Sequence, residues 1–174
     1  MKNIFHLIII QLLMFPVQFA NANPFFDGKK LMISNVDSID RVAMYQDVIF
    51  SFTQEGQWKL LSFEIGIEED LITNVELIQT DTLPIQVFLK ITGTLISSCP
   101  KEFRIQHRMI DNTFEVAMYN SSNSPPILCD SGFTEFTELY PLPIFSLKKG
   151  SYAYNVNGTF QGVFTLVKDN DLLH

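Results

Sequence analysis

Reactive side chains are scarce in this 174-residue chain, which holds three histidines, two cysteines and one tryptophan. His6 falls in an N-terminal segment that the pattern marks for removal and His174 is terminal, so His107 is the one internal imidazole. That excludes a His-rich zinc site and argues against Ser-His-Asp or Cys-His catalysis. No Gly-rich phosphate loop, nucleophile elbow or long stretch of helical spacing is present. Basic residues are in deficit, 12 against 19 acids, a balance that repels nucleic acid and anionic lipid heads. The longest acidic run, Glu68-Glu69-Asp70, lacks the alternating oxygen ligands of a calcium loop and reads as a solvated turn. No catalytic, cofactor-binding or metal-binding residue is assigned, and the expectation is a protein that is not an enzyme and needs no cofactor.

The N-terminus carries the strongest positive signal. Lys2 precedes an apolar run from Ile4 to Val17, and Ala20-Asn21-Ala22 supplies small residues two apart before a cleavage point. These are the parts of a secretory signal peptide. Gln11, Pro16 and Gln18 interrupt the run before it reaches the ~20 apolar residues of a membrane span. Residues 1–22 are therefore expected to be cleaved, leaving a chain from Asn23 to His174 that is exported, periplasmic or secreted, with no stable membrane insertion. Removing 22 of 174 residues leaves 152, the size of one ordinary domain.

Cys99 and Cys129 both lie in the exported part. An oxidising compartment makes such a pair a disulfide candidate. Closing a loop of about thirty residues would constrain the unfolded chain by about 3 to 4 kcal/mol in the chain-entropy view. The alternative, two free thiols with a redox role, favours a Cys-x-x-Cys pair at a helix start, which is absent.

Short runs rich in Phe, Val, Ile, Thr and Tyr, separated by Gly, Pro, Asn and Asp, predict a mainly β fold. Residues 23–30 read as an irregular lead-in. Val48 to Phe52 and Trp58 to Ile65 flank a glycine-containing hairpin loop. Thr73 to Gln79 follows, and Ile85 to Thr92 alternates so that Ile85, Val87, Leu89 and Ile91 share a buried face. Phe103 to His107 and Thr113 to Tyr119 flank a turn at Asp111-Asn112, with His107 on the strand surface. Phe133 to Thr137 is another strand, and Pro141-Leu142-Pro143 ends it. In the last hairpin a two-residue turn at Asn157-Gly158 would put Phe164 and Leu166 on the face opposite Tyr152 and Tyr154. A bulge near Gly162 repairs this by pairing Tyr152 with Phe164.

Several of these residues also resemble a known group. Gly93-Thr94 before Cys99, Asn112 to Val116, Cys129, Leu147 to Tyr152, Val156-Asn157-Gly158 and Phe164-Thr165-Leu166 are similar to a widespread, mostly uncharacterised family of exported bacterial domains. The likeness covers residues 73–167. It implies an all-β, immunoglobulin-like β-sandwich with Cys99 and Cys129 bridged, and is nearly silent on activity.

The aromatic surplus, Phe133, Phe136, Tyr140, Phe145, Tyr152 and Tyr154, suits a sandwich core. Phe133 and Phe136 are three apart and cannot share a face of one regular strand, so one is expected to be exposed. Asn120-Ser121-Ser122 and Asn157-Gly158-Thr159 match the glycosylation acceptor pattern. The leading expectation is a non-enzymatic binding or structural protein that takes a protein or glycan partner at its loops or at an edge strand, with Asn120, Pro125, Pro126 and Phe133 as candidate contacts. The alternative is a secreted protease or hydrolase inhibitor whose proline-stiffened loop, Asn120 to Ile127, plugs a cleft. Ranked last is a small hydrolase using two carboxylates from among Glu64, Glu68, Glu69, Glu135 and Glu138.

Overall fold

The computed structural model describes residues 24–66, 71–95, 103–120 and 132–171. Through them run β1 (Phe25–Phe26), β2 (Lys30–Val36), β3 (Tyr45–Phe52), β4 (Trp58–Ile65), β5 (Ile72–Gln79), β6 (Val87–Leu95), β7 (Phe103–Ile110), β8 (Thr113–Asn120), β9 (Thr134–Leu142), β10 (Gly150–Val156) and β11 (Phe160–Leu166). They form three sheets, ordered β1-β2-β3-β4, β5-β6-β9 and β11-β10-β8-β7. The signal pattern at residues 1–22, Cys99 and Cys129 lie outside the described residues.

The second and third sheets stack as an all-β sandwich. β6 is the centre of its sheet and alternates buried and half-buried residues along its whole length. Its Val87, Leu89 and Ile91, with Ile85, Leu142 and Ile144, meet Phe114, Val116, Met118, Tyr152, Tyr154, Val156, Phe164 and Leu166 from the facing sheet. Burying one such side chain contributes roughly 1.5–3 kcal/mol before ordering costs. Tyr152 and Phe164 pair across β10 and β11 and stack at 5.7 Å.

Three details correct the expectations from sequence. The last hairpin has a continuous register with Val156 opposite Phe160, so its turn is three residues long, Asn157 to Thr159, and no bulge is needed at Gly162. Gly162 instead permits close packing, since a Cβ there would come within 2.5 Å of Tyr154 Cζ and Oη. Pro141 does not end the preceding strand but lies within β9, opposite Phe88. β9 is an edge strand, where a missing N–H can face outward without breaking a ladder. Residues 25 and 26 of the lead-in pair with Met32 and Leu31.

β8 and β10 run parallel, a departure from the antiparallel immunoglobulin pattern. The chain leaves β8, builds β9 in the facing sheet and returns in β10 pointing the same way. Asn157 extends this pair: its N–H donates to Val116 O at 3.0 Å, its Oδ1 accepts from Met118 N at 2.8 Å, and its Nδ2 donates to Met118 O at 3.4 Å. The acceptor amide of that glycosylation pattern is thus spent on the fold.

The outward face of β8 is covered as well. Ala117 and Tyr119 pack with Val42 and Ala43 from the β2–β3 connection, and Tyr119 Oη donates to Val42 O. Gly66 lies so near that a Cβ would meet Gln46 Nε2 at 2.6 Å and the Tyr119 ring at 2.8 Å. Arg108 clamps the same connection, donating to Ser38 O at 2.6 Å and Ile39 O at 3.1 Å while pairing with Glu115 at 2.6 Å. The β1–β4 sheet is therefore fastened to the sandwich at the start of β3, while β4 stands at the sheet's far edge.

Candidate partner-binding surface

β3 and β4 form the predicted hairpin. Thr53 N–H donates to Gln57 O at 2.8 Å, and Gly56 takes the left-handed φ of 78° that its turn requires. Two irregularities interrupt the ladder. Phe50 faces Leu60 and Ile49 faces Ser62, so Leu61 has no partner on β3; farther along, Gln46 faces Glu64, with Asp47 at φ 49°. Arg104 holds Asp47 at 3.0 Å.

A bulge reverses the alternation of side chains. Leu60 and Phe63, three apart, consequently share one face and line a groove of about 310 Å³ with Val36, Tyr45, Val48 and Phe50. Tyr45 and Phe63 meet edge-to-face at 5.2 Å, and Trp58 lies 5.1 Å from Phe52 and 5.7 Å from Phe26. The strand beside the groove is unusually open. Trp58, Leu60, Leu61, Phe63 and Ile65 are each 44–55 % exposed, and among the described residues no strand pairs with β4 on the side away from β3. Isolated exposed apolar residues are ordinary, whereas a contiguous set on an open edge is a candidate interaction surface.

The sequence candidates fall elsewhere. Pro125 and Pro126, like Cys99, Cys129 and most of the loop 120–127, lie outside the described residues. Asn120 ends β8 opposite Phe103. Phe133, just ahead of β9, is 80 % exposed, and Phe136 packs on the core, 4.5 Å from Phe103, so one ring of the two is outward, as expected. Phe133 does not line the groove.

The groups considered for catalysis are dispersed. Glu64 is in β4, whereas Glu135 and Glu138 are three apart on the regular strand β9, so those two cannot face each other. Glu68 and Glu69 lie outside the described residues. His107 is half-buried rather than on the surface: its Nδ1 is 2.6 Å from Tyr140 Oη and its ring lies 6.5 Å from Phe114. Burial holds the imidazole below its ordinary pKa, opposed by the charge of Asp37, and pushes the Tyr140 phenol up to about 12. A phenol that keeps its proton and a neutral imidazole satisfy each other with one hydrogen bond whose direction is set by the ring tautomer, so the pair is a packing contact. Among the described residues no three His, Cys, Asp or Glu side chains gather as a metal site, and no helix is long and apolar enough to cross a membrane.

A second concavity, about 180 Å³, is polar and lies between the β2–β3 connection and the outer face of β8 and β10. Asp40, Arg41, Glu115, Asn155 and Asn157 line it, and Asn155 Oδ1 is buried there without a hydrogen-bond partner. Glu115 is committed to Arg108, and Asn157 to Met118.

Residues 89–166 match the family described as the ORF11 beta-sandwich domain. The match runs from within β6 to the end of β11, less than half of the chain, and stops short of the β1–β4 sheet. No curated protein and no solved structure matches the chain.

Proposed function

We propose that this is a non-enzymatic, exported binding protein that accepts an extended segment of a protein partner along the outer edge of β4. The observation that carries the reading is the openness of that strand, which presents five large apolar side chains beside an apolar groove. A partner strand gains main-chain hydrogen bonds from an open sheet edge, while alternate side chains enter surface recesses. The lining of the groove, five aliphatic or phenyl side chains with Tyr45, favours a peptide over a sugar, whose hydroxyls need polar partners. Export rests on Lys2, the Ile4–Val17 run and Ala20-Asn21-Ala22, and places the partner in the periplasm or outside the cell.

The test places a photo-crosslinking residue at Leu61, the bulged and exposed position, in the full chain made by its own host. The reading expects a discrete adduct that disappears when Leu60→Glu and Phe63→Glu are introduced and circular dichroism is unchanged. Absence of any adduct overturns it. N-terminal mass analysis of the same material should begin at Asn23, and an intact Met1 would overturn the export part alone.

A further inference from the structure

We infer that the polar concavity between the β2–β3 connection and the outer face of β8 and β10 binds an alkylguanidinium group, the end of an arginine side chain or a small molecule carrying the same group. It shares no residue with the β4 groove, so it stands independently of the reading above. The argument starts from what the fold leaves unsatisfied. Asn155 lies on the outward face of β10, between the buried Tyr154 and Val156, and its Oδ1 is closed off from solvent with no donor to bond. Asp40, from the connection that forms the other wall, is exposed. Its carboxylate makes no hydrogen bond or ion pair with another described residue. Arg41, Glu115 and Asn157 also line the space, but each is already engaged within the chain, Glu115 by Arg108 and Asn157 by Met118. No contact is assigned to those three.

Both remaining groups, Asn155 Oδ1 and the Asp40 carboxylate, are acceptors. Their guest must therefore donate, and the carboxylate adds a preference for positive charge that the chain's excess of acids, 19 against 12 basic residues, reinforces. A bare divalent ion fits poorly, since it demands a larger set of oxygen ligands, and among the described residues no three metal-binding side chains gather. A guanidinium suits the recess better than an ammonium. It presents five N–H donors in a fixed fork and is more weakly hydrated, so it gives up less on leaving water. Val42 and Ala117 supply an apolar wall along which its methylene stem can lie.

The experiment titrates ethylguanidinium into the full exported chain and follows the side-chain amide of Asn155 and the carboxylate of Asp40 by nuclear magnetic resonance. Both signals should shift saturably. Ethylurea, which has a similar shape without the charge, should bind about fivefold more weakly or worse, and Asp40→Asn should weaken ethylguanidinium by about the same factor. Asn155→Leu should abolish the Asp40 shift while circular dichroism is unchanged. Asn155→Asp acts in the opposite direction: it sets a second acid beside Glu115, its partner across β10 and β8, so this variant should unfold at a lower temperature alone and gain more from ethylguanidinium than the parent does. A blocked Gly-Gly-Arg-Gly-Gly peptide that binds at least as tightly as ethylguanidinium supports the inference with a polypeptide as the source. A peptide that fails where ethylguanidinium binds supports it with a free small molecule as the source. Absence of saturable binding, equal binding of ethylurea, or binding that Asp40→Asn and Asn155→Leu both leave untouched overturns it.

Discussion

Asn170 grips the backbone of Ile85 with both ends of its side-chain amide, Oδ1 accepting from Ile85 N at 2.7 Å and Nδ2 donating to Ile85 O at 2.9 Å. The same Nδ2 donates to Ile144 O at 3.1 Å, and the residue is fully buried. The C-terminal segment thereby closes the end of the sandwich, tying the entry to β6 to the exit from β9.

Asn170→Ala removes three hydrogen bonds and strands the Ile85 N–H away from water. Lost bonds and unpaired buried groups of this kind cost roughly 2 to 4 kcal/mol. Urea unfolding should show a lower midpoint with an unchanged slope. A loss under ~0.5 kcal/mol, within the range of an ordinary surface substitution, would refute the tie.

Gly93 and Gly162 should rank differently when changed to alanine. A Cβ on Gly93 collides with the Leu71 carbonyl oxygen and the Phe136 ring, whereas on Gly162 its nearest neighbours are the ring and hydroxyl of Tyr154. Backbone cannot swing aside and a ring can shift slightly, so Gly93→Ala is expected to be the more damaging, by about 1 kcal/mol or more, on the scale of overpacking costs. Thermal unfolding of the two single variants checks the order, and the reverse order would contradict the packing described.

The sandwich was legible because its signals are local and consistent. Ile85, Val87, Leu89 and Ile91 alternate without a break, and only one face of β6 is buried. The Tyr152–Phe164 pairing was also readable, since a core must gather its large residues, although three turn residues rather than a bulge achieve it. The β4 surface was not. Trp58, Leu60, Leu61, Phe63 and Ile65 occupy both parities, a composition shared with strands buried on both sides. Whether such a strand is central or at an edge depends on which elements the chain places beside it, and the bulge at Leu61 leaves no compositional trace.

His107 gives the fold a pH dependence. Its pKa in the folded chain lies below the ordinary 6.5 because burial disfavours the charged ring. The folded state therefore binds fewer protons than the unfolded state, and stability is full above about 6.5 and declines as pH falls. Tyr140 acts at the other limb: its folded pKa of about 12 exceeds the ordinary 10.0, so its contribution is present below 10 and is lost as pH rises toward 12. Urea midpoints from pH 7.5 to 5 should fall less steeply in His107→Gln than in the parent. Equal slopes would show that other groups govern the acid limb.

Arg108 joins the sandwich to the β2–β3 connection through two carbonyls and Glu115, with its guanidinium fork filling three directions at once. Lysine carries the charge without the fork, so Arg108→Lys can keep one of these bonds but not all. Loss of charged hydrogen bonds of this sort is worth about 2 kcal/mol, and here it should fall on the attachment of residues 37–44 rather than on the sandwich core. Native-state hydrogen exchange is the fitting measurement, because it separates local opening from global unfolding. Amides of Arg41 and Ala43, bonded to Ser38 Oγ and Asp37 Oδ1, should exchange faster in Arg108→Lys, while those of β6 stay at the parental rate. Uniform acceleration across both regions would mean that the connection and the sandwich open as one unit, and the clamp would then be a support for the whole fold.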